Sequence, residues 1–334
     1  MVSRCARFQT RSERRLYEVF GASYVRRTNA LLMLIKPKMR LLLILVALLL
    51  PPVSWGAEIT NTNVSTTITI PIRSVHDRII VPAKVNGSKP LSFLLDTGYG
   101  ITTIHPDLVE SLGLTQAGRM TIIGIAAKER ATTYRDAVFD FGGFSYKPKR
   151  VASLPSDAST PSSRRAGILG AGFFRRFVVE IDSAKNLLRL HEPQSFNYKG
   201  DGEIIALQFD KDTPIIDATI TTTQKTEVRG RFEVDTGCDD QLCLTPDFVT
   251  TNHLLGAETS AGTKNGVGGS VRIQRGTLPQ LRLGRFAIEK PPVNFFMEGL
   301  PAENGLAGHI GMATLRNYKV IFDYSRQRMI LESH

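Results

Sequence analysis

Two aspartates stand at the ends of apolar runs in one repeated context. Phe93-Leu94-Leu95-Asp96-Thr97-Gly98 is echoed by Phe232-Glu233-Val234-Asp235-Thr236-Gly237. One Asp followed by Thr and Gly at a strand end is an ordinary turn, but turn chemistry does not explain the pair. Two carboxylates brought together cannot both ionise and must share one proton. The ionised partner can then draw a proton from a water held between them, while the protonated partner donates to a carbonyl oxygen. The chemistry is direct attack of water on an amide, with no metal, no cofactor and no covalent intermediate. Gly98 and Gly237 let the backbone turn tightly and approach another chain. The hydroxyls of Thr97 and Thr236 both donate and accept, so they can tie two such loops together.

Placing two carboxylates this way needs two similar scaffolds, and the sequence supplies them as an internal repeat. In the first copy, apolar runs flank Asn86-Gly87, a strong hairpin signal, and lead into Asp96. The second copy again runs strand, polar turn, strand from Pro214 to Asp235. A short helix is expected after each, with Pro106 at a first helical position, and with Thr245 as N-cap before Pro246. The copies also end alike: Gly167-Ile168-Leu169-Gly170 matches Gly308-His309-Ile310-Gly311. Between these ends the segments alternate and turn at glycines, and long helical patterns are absent. The expected architecture is all-β, with two similar lobes related by a pseudo-twofold axis and a cleft between them. The expected boundaries are 1–56 for a basic extension plus signal peptide, 57–71 for a mobile lead-in, 72–194 for the first lobe and 195–334 for the second.

With both motifs in place, the chain resembles the aspartic proteases of the retropepsin-like group, as two retropepsin-sized lobes fused in one chain. The resemblance rests on the paired D-T-G and on the downstream apolar-apolar-Gly elements ending at Gly170 and Gly311. It implies that Asp96 and Asp235 are catalytic, with Thr97, Gly98, Thr236 and Gly237 supporting their loops. It also implies hairpin flaps over the cleft, with candidates at 120–133, containing Gly124, and at 262–272, containing Gly266, Gly268 and Gly269. The implied activity is aspartic-type endopeptidase on peptide or protein substrates, for which a monomer suffices. Some residues depart from the family pattern. Tyr99 and Cys238 follow the two D-T-G motifs where a small residue is usual, and His309 stands where the first copy has Ile168. Tyr99 could crowd the aspartates or turn into a substrate pocket, which leaves a catalytically inactive peptide-binding protein as the alternative. Asp239 and Asp240 read as solvated loop charges.

The net charge of +11 suggests nucleic acid until it is located: residues 1–40 hold ten basic and two acidic residues, leaving about +3 for the rest. No basic stripe with interleaved aromatics is seen, so nucleic acid is not an expected partner. A basic flank, an apolar run over 41–50 and small residues at Ser54 and Gly56 have the layout of a secretory signal. Ten apolar residues fall short of the ~20 that span a bilayer. The expectation is export, periplasmic or secreted, with only transient membrane contact; an uncleaved anchor is the alternative. Cys238 and Cys243 could pair or remain buried thiols, and no C-x-x-C zinc pattern occurs. H-E-x-x-H, G-x-S-x-G and P-loop motifs are also absent.

Overall fold

A computed structural model describes residues 66–155, 165–256, 258–299 and 305–334. The extension and signal readings at 1–56 lie outside the described residues. Among the described residues no helix is long and apolar enough to cross a membrane.

The described chain is almost entirely β, with one sheet in each lobe and a six-stranded sheet shared by both. In the first lobe, Leu91–Leu95 runs parallel to Gly167–Leu169, which pairs antiparallel with Thr103–Ile104; that strand lies parallel to Val151–Ser153. The second lobe repeats the pattern strand for strand: Glu227–Asp235, Gly308–Gly311, Leu242–Leu244 and Pro292–Phe296. Strands covered on both faces read as continuous apolar runs, which is why Phe93, Leu94 and Leu95 are all buried. Thr213–Thr221, more open on one face, alternates instead.

The shared sheet runs Thr67–Pro71, Leu187–His191, Val178–Asp182, Tyr318–Asp323, Arg328–Ser333, Glu203–Ala206. Its centre is the antiparallel pair Val178–Asp182 and Tyr318–Asp323, one strand from each lobe. Phe174 of the first lobe meets Phe322 of the second at 5.4 Å between centroids and stacks on Tyr324 at 5.6 Å. Each such pair is worth ~0.5–1.5 kcal/mol beyond area burial.

Three sequence readings are corrected. The lead-in is not mobile throughout: Thr67–Pro71 is an edge strand in full register with Leu187–His191. The Thr and Asn content suggested a tail, but a strand with one covered face needs few apolar residues, and here only Ile70 is fully buried. The element after Asp96 is a single 3-10 turn, Pro106–Leu108, ending at Val109, and Gly113 takes a positive φ of 65° at the close of the turns that follow. Thr245 does precede the helix Pro246–Thr251, but its hydroxyl donates to the Leu306 carbonyl at 3.0 Å instead of capping that helix.

Candidate active site

The two D-T-G loops meet at the pseudo-twofold axis. The Thr97 N–H donates to Thr236 Oγ1 at 3.0 Å, and the Thr236 N–H donates to Thr97 Oγ1 at 2.9 Å. Each hydroxyl then donates onward to the opposite strand: Thr97 Oγ1 to the Val234 carbonyl at 2.6 Å, Thr236 Oγ1 to the Leu95 carbonyl at 2.9 Å. Both threonines are fully buried, so these four bonds leave none of the donors orphaned and lock the loops face to face.

The glycines do what their lack of a side chain allows. A β-carbon on Gly237 would run into the Asp96 carboxyl group, and one on Gly98 would lie 2.9 Å from the Asp235 carboxyl carbon. Each loop therefore presses its glycine against the other lobe's aspartate. Gly170 and Gly311 play a second paired role. A β-carbon at Gly170 would strike the Tyr99 carbonyl, and one at Gly311 the Asp240 carbonyl. The next residues donate into the same loops, Ala171 N–H to the Tyr99 carbonyl and Met312 N–H to the Cys238 carbonyl, both at 2.8 Å.

Asp96 and Asp235 are in side-chain hydrogen-bond contact. Burial, reinforced by the charges of Asp235 and Glu233, holds the Asp96 carboxyl well above the usual carboxylate range. Asp235 Oδ1 accepts the N–H groups of Gly237 at 2.8 Å and Cys238 at 3.2 Å. Around them opens a cleft of about 1800 Å³, lined from both lobes and including Asp96, Asp235, Arg78 and Arg165.

Both flap candidates are hairpins over this cleft. Thr115–Ile123 pairs with Lys128–Arg135, turning through Gly124, and Ser260–Gly266 pairs with Gly269–Thr277. The tips touch: a β-carbon on Gly124 would collide with the Val267 carbonyl, and one on Gly266 or Gly268 would strike Ile125 or Ala127. Gly268 and Gly269 carry φ of +86° and +123°, which only glycine adopts without strain. Gly269, by contrast, has only Ala126 within reach.

Several features were not foreseen. Glu233 is a third carboxyl beside the pair, half-buried like Asp235, and desolvation and Asp235 push it up to about 8, with His309 working against the shift. Burial alone would lower His309, but Cys238, Asp235 and Glu233 outweigh it and raise it to about 9. The Cys238 thiol is drawn down to about 6, first by its contact with Cys243 and, against the cost of burial, by His309. Cys238 and Cys243 are both free buried thiols, one of the two states the sequence allowed. Asp239 and Asp240 are not solvated charges as expected. Lys264 from the second flap bridges them at 2.6 Å each, and Arg78 from the first lobe meets Asp239 at 3.1 Å and the Gly237 carbonyl at 3.0 Å. Tyr99 packs with the Ile122, Ala131 and Ala152 cluster beneath the first flap. Its hydroxyl is buried without a hydrogen-bond partner among the described residues.

A family model described as aspartyl protease matches residues 81–173 and 218–314, once in each lobe. The chain belongs to the aspartyl protease family. The crystal structure of the aspartic proteinase from Irpex lacteus shares its fold, with a TM-score of 0.52 at 12% identity, over 80% of this chain and 97% of that one. No curated protein sequence matches the chain. Both halves of this aspartyl protease thus carry the family signature, although Glu233, His309, Cys238 and Cys243 set its second half apart from its first.

Proposed function

We propose that the protein is an exported aspartic endopeptidase in which Asp96 and Asp235 activate a water for attack on a peptide bond. The observation that carries this reading is the contact between the two carboxyl groups, fixed by the reciprocal Thr97–Thr236 bonds. Asp96, which resists ionisation, holds the shared proton and donates it to the substrate carbonyl oxygen. Asp235 takes the water proton as the water oxygen bonds to the carbonyl carbon. The tetrahedral intermediate collapses as Asp235 passes its new proton to the leaving nitrogen, the C–N bond breaks, and the hydroxyl on the former carbonyl carbon returns its proton to Asp96. An extended peptide fits between the dyad and the joined flaps, where strand edges offer main-chain partners and the cleft walls offer side-chain pockets. Export is supported by the basic flank and apolar run that precede Ser54 and Gly56.

The non-catalytic alternative rested on Tyr99 crowding the aspartates. Tyr99 packs beneath the first flap and also lines the cleft, so cleavage is what separates the two readings. The test is peptide-library cleavage between pH 3 and 8 by the parent and by Asp96→Asn and Asp235→Asn. Cleavage lost in both variants is the expected result. Activity surviving either substitution would sink the shared-proton mechanism, and a folded parent without activity would restore the binding-protein reading.

A further inference from the structure

The second lobe carries a row of polar side chains that the first lobe does not. Glu233, His309, Cys243 and Asn294 lie side by side on four adjacent strands, in the pairings Glu233 with His309, His309 with Cys243, and Cys243 with Asn294. The same four places in the first lobe, connected by the same pairings, hold Leu94, Ile168, Thr103 and Ala152. Cys238 completes the contrast, standing where the first lobe has Tyr99. The fold therefore needs none of these polar groups to build a lobe of this kind, and their presence on one side asks for a ligand.

Their chemistry names its class. The Cys238 and Cys243 sulfurs and a His309 ring nitrogen all lie within 4.8 Å of one another. Two sulfurs and a nitrogen bound to a tetrahedral zinc at ~2.3 and ~2.0–2.1 Å sit roughly 3.5–3.8 Å apart, a spacing within reach of small side-chain rotations. Two thiolates with one imidazole suit a borderline-soft divalent cation over magnesium or calcium, which prefer oxygen. Asp240 Oδ2 approaches the same sulfurs, at 3.3 Å from Cys243 and 3.7 Å from Cys238, but it is also held by Lys264.

We propose that Cys238, Cys243 and His309 form a binding site for Zn²⁺, with the fourth coordination position open to the cleft beside the two aspartates. Ligation takes both sulfurs as thiolates and the imidazole as the neutral ring, so two protons leave the three groups for solvent as the metal bonds form, and the two thiolates neutralise the ion. Lys264 remains on Asp239 and Asp240 and fixes the loop that carries Cys238. The spacing escapes sequence inspection because strand register, not chain proximity, brings His309 to the two cysteines. The site does not depend on peptidase activity, since its ligands are distinct from Asp96 and Asp235.

The test is titration of the reduced full-length protein with Co²⁺, followed by displacement with Zn²⁺. One equivalent should give thiolate-to-cobalt charge-transfer bands and the intense visible bands of a tetrahedral ion. Cys243→Ser and His309→Gln should each weaken binding at least tenfold while retaining the parent circular dichroism. Should either variant fail to fold, alkylation of the parent decides the matter: Zn²⁺ should shield Cys238 and Cys243, located by peptide mass mapping. Weak octahedral bands, binding unchanged in folded variants, or cysteines equally reactive with and without Zn²⁺ would overturn the assignment.

Discussion

Glu233 occupies in the second lobe the place that Leu94 occupies in the first: each is two residues before its aspartate and paired across the sheet with the equivalent strand, His309 or Ile168. The two-carboxylate centre is therefore a three-carboxylate centre on one side only. The groups around Asp96 are Asp235, Glu233, Tyr99 and Arg165. In the proposed mechanism activity requires Asp96 protonated, so its alkaline limb follows ionisation of that carboxyl. Burial, Asp235 and Glu233 all oppose this ionisation, and the limb is expected well above the ordinary carboxylate range. Glu233→Gln removes one opposing charge and should move the alkaline limb of kcat/KM to lower pH, a shift read directly from pH–rate profiles.

The same burial has a stability signature. The folded pKa of Asp96 is raised, so between its unfolded and folded values the native state binds more protons than the unfolded one. Its contribution is favourable at low pH and is lost as pH rises through the folded value, at a slope of ~1.4 kcal/mol per pH unit for one proton. Asp96→Asn should therefore raise the Tm at neutral pH and change it little near pH 4. Calorimetry at the two pH values checks the sign. An equal shift at both would show that the carboxyl is not held protonated by the fold.

Thr97 and Thr236 each make two bonds that cross from one lobe to the other. Thr236→Ala leaves the Thr97 N–H and the Leu95 carbonyl without their buried partner, at ~1–3 kcal/mol per orphaned group. The expected loss in urea unfolding is on the order of 2–6 kcal/mol. Thr236→Ser keeps the hydroxyl and should recover most of it.

At the flap tips, Gly268 combines a φ of +86° with backbone of Ala127 where a β-carbon would go. Gly268→Ala should part the tips and lower kcat/KM on the order of tenfold, equivalent to ~1.4 kcal/mol, mainly through KM. Gly142, also at positive φ but facing open space, provides the control: Gly142→Ala strains a turn without touching the flaps and should leave kinetics unchanged.

The parts of the fold that depend on short stretches of chain were legible in the sequence. The D-T-G pair, the Asn86-Gly87 hairpin and the glycines at 170 and 311 each announce a local conformation, and repetition made the lobes recognisable. What escaped depends on register between distant strands. Nothing near Cys243 points to His309, and nothing near Asp239 points to Arg78, whose guanidinium arrives from the opposite lobe. Thr67–Pro71 was missed for a related reason: its partner, Leu187–His191, lies more than a hundred residues away. A strand that covers one face of a shared sheet gives too weak an alternation to be read alone.

The central sheet joins Val178–Asp182 to Tyr318–Asp323 within a single polypeptide. In an enzyme built from two identical subunits, every substitution appears on both sides of the axis, and a glutamate introduced beside one aspartate brings its twin beside the other. Covalent fusion breaks that obligation. One half can keep Leu94 and Ile168 while the other carries acid and imidazole in their places, so the molecule retains the geometry of a symmetric machine while its two sides become free to specialise.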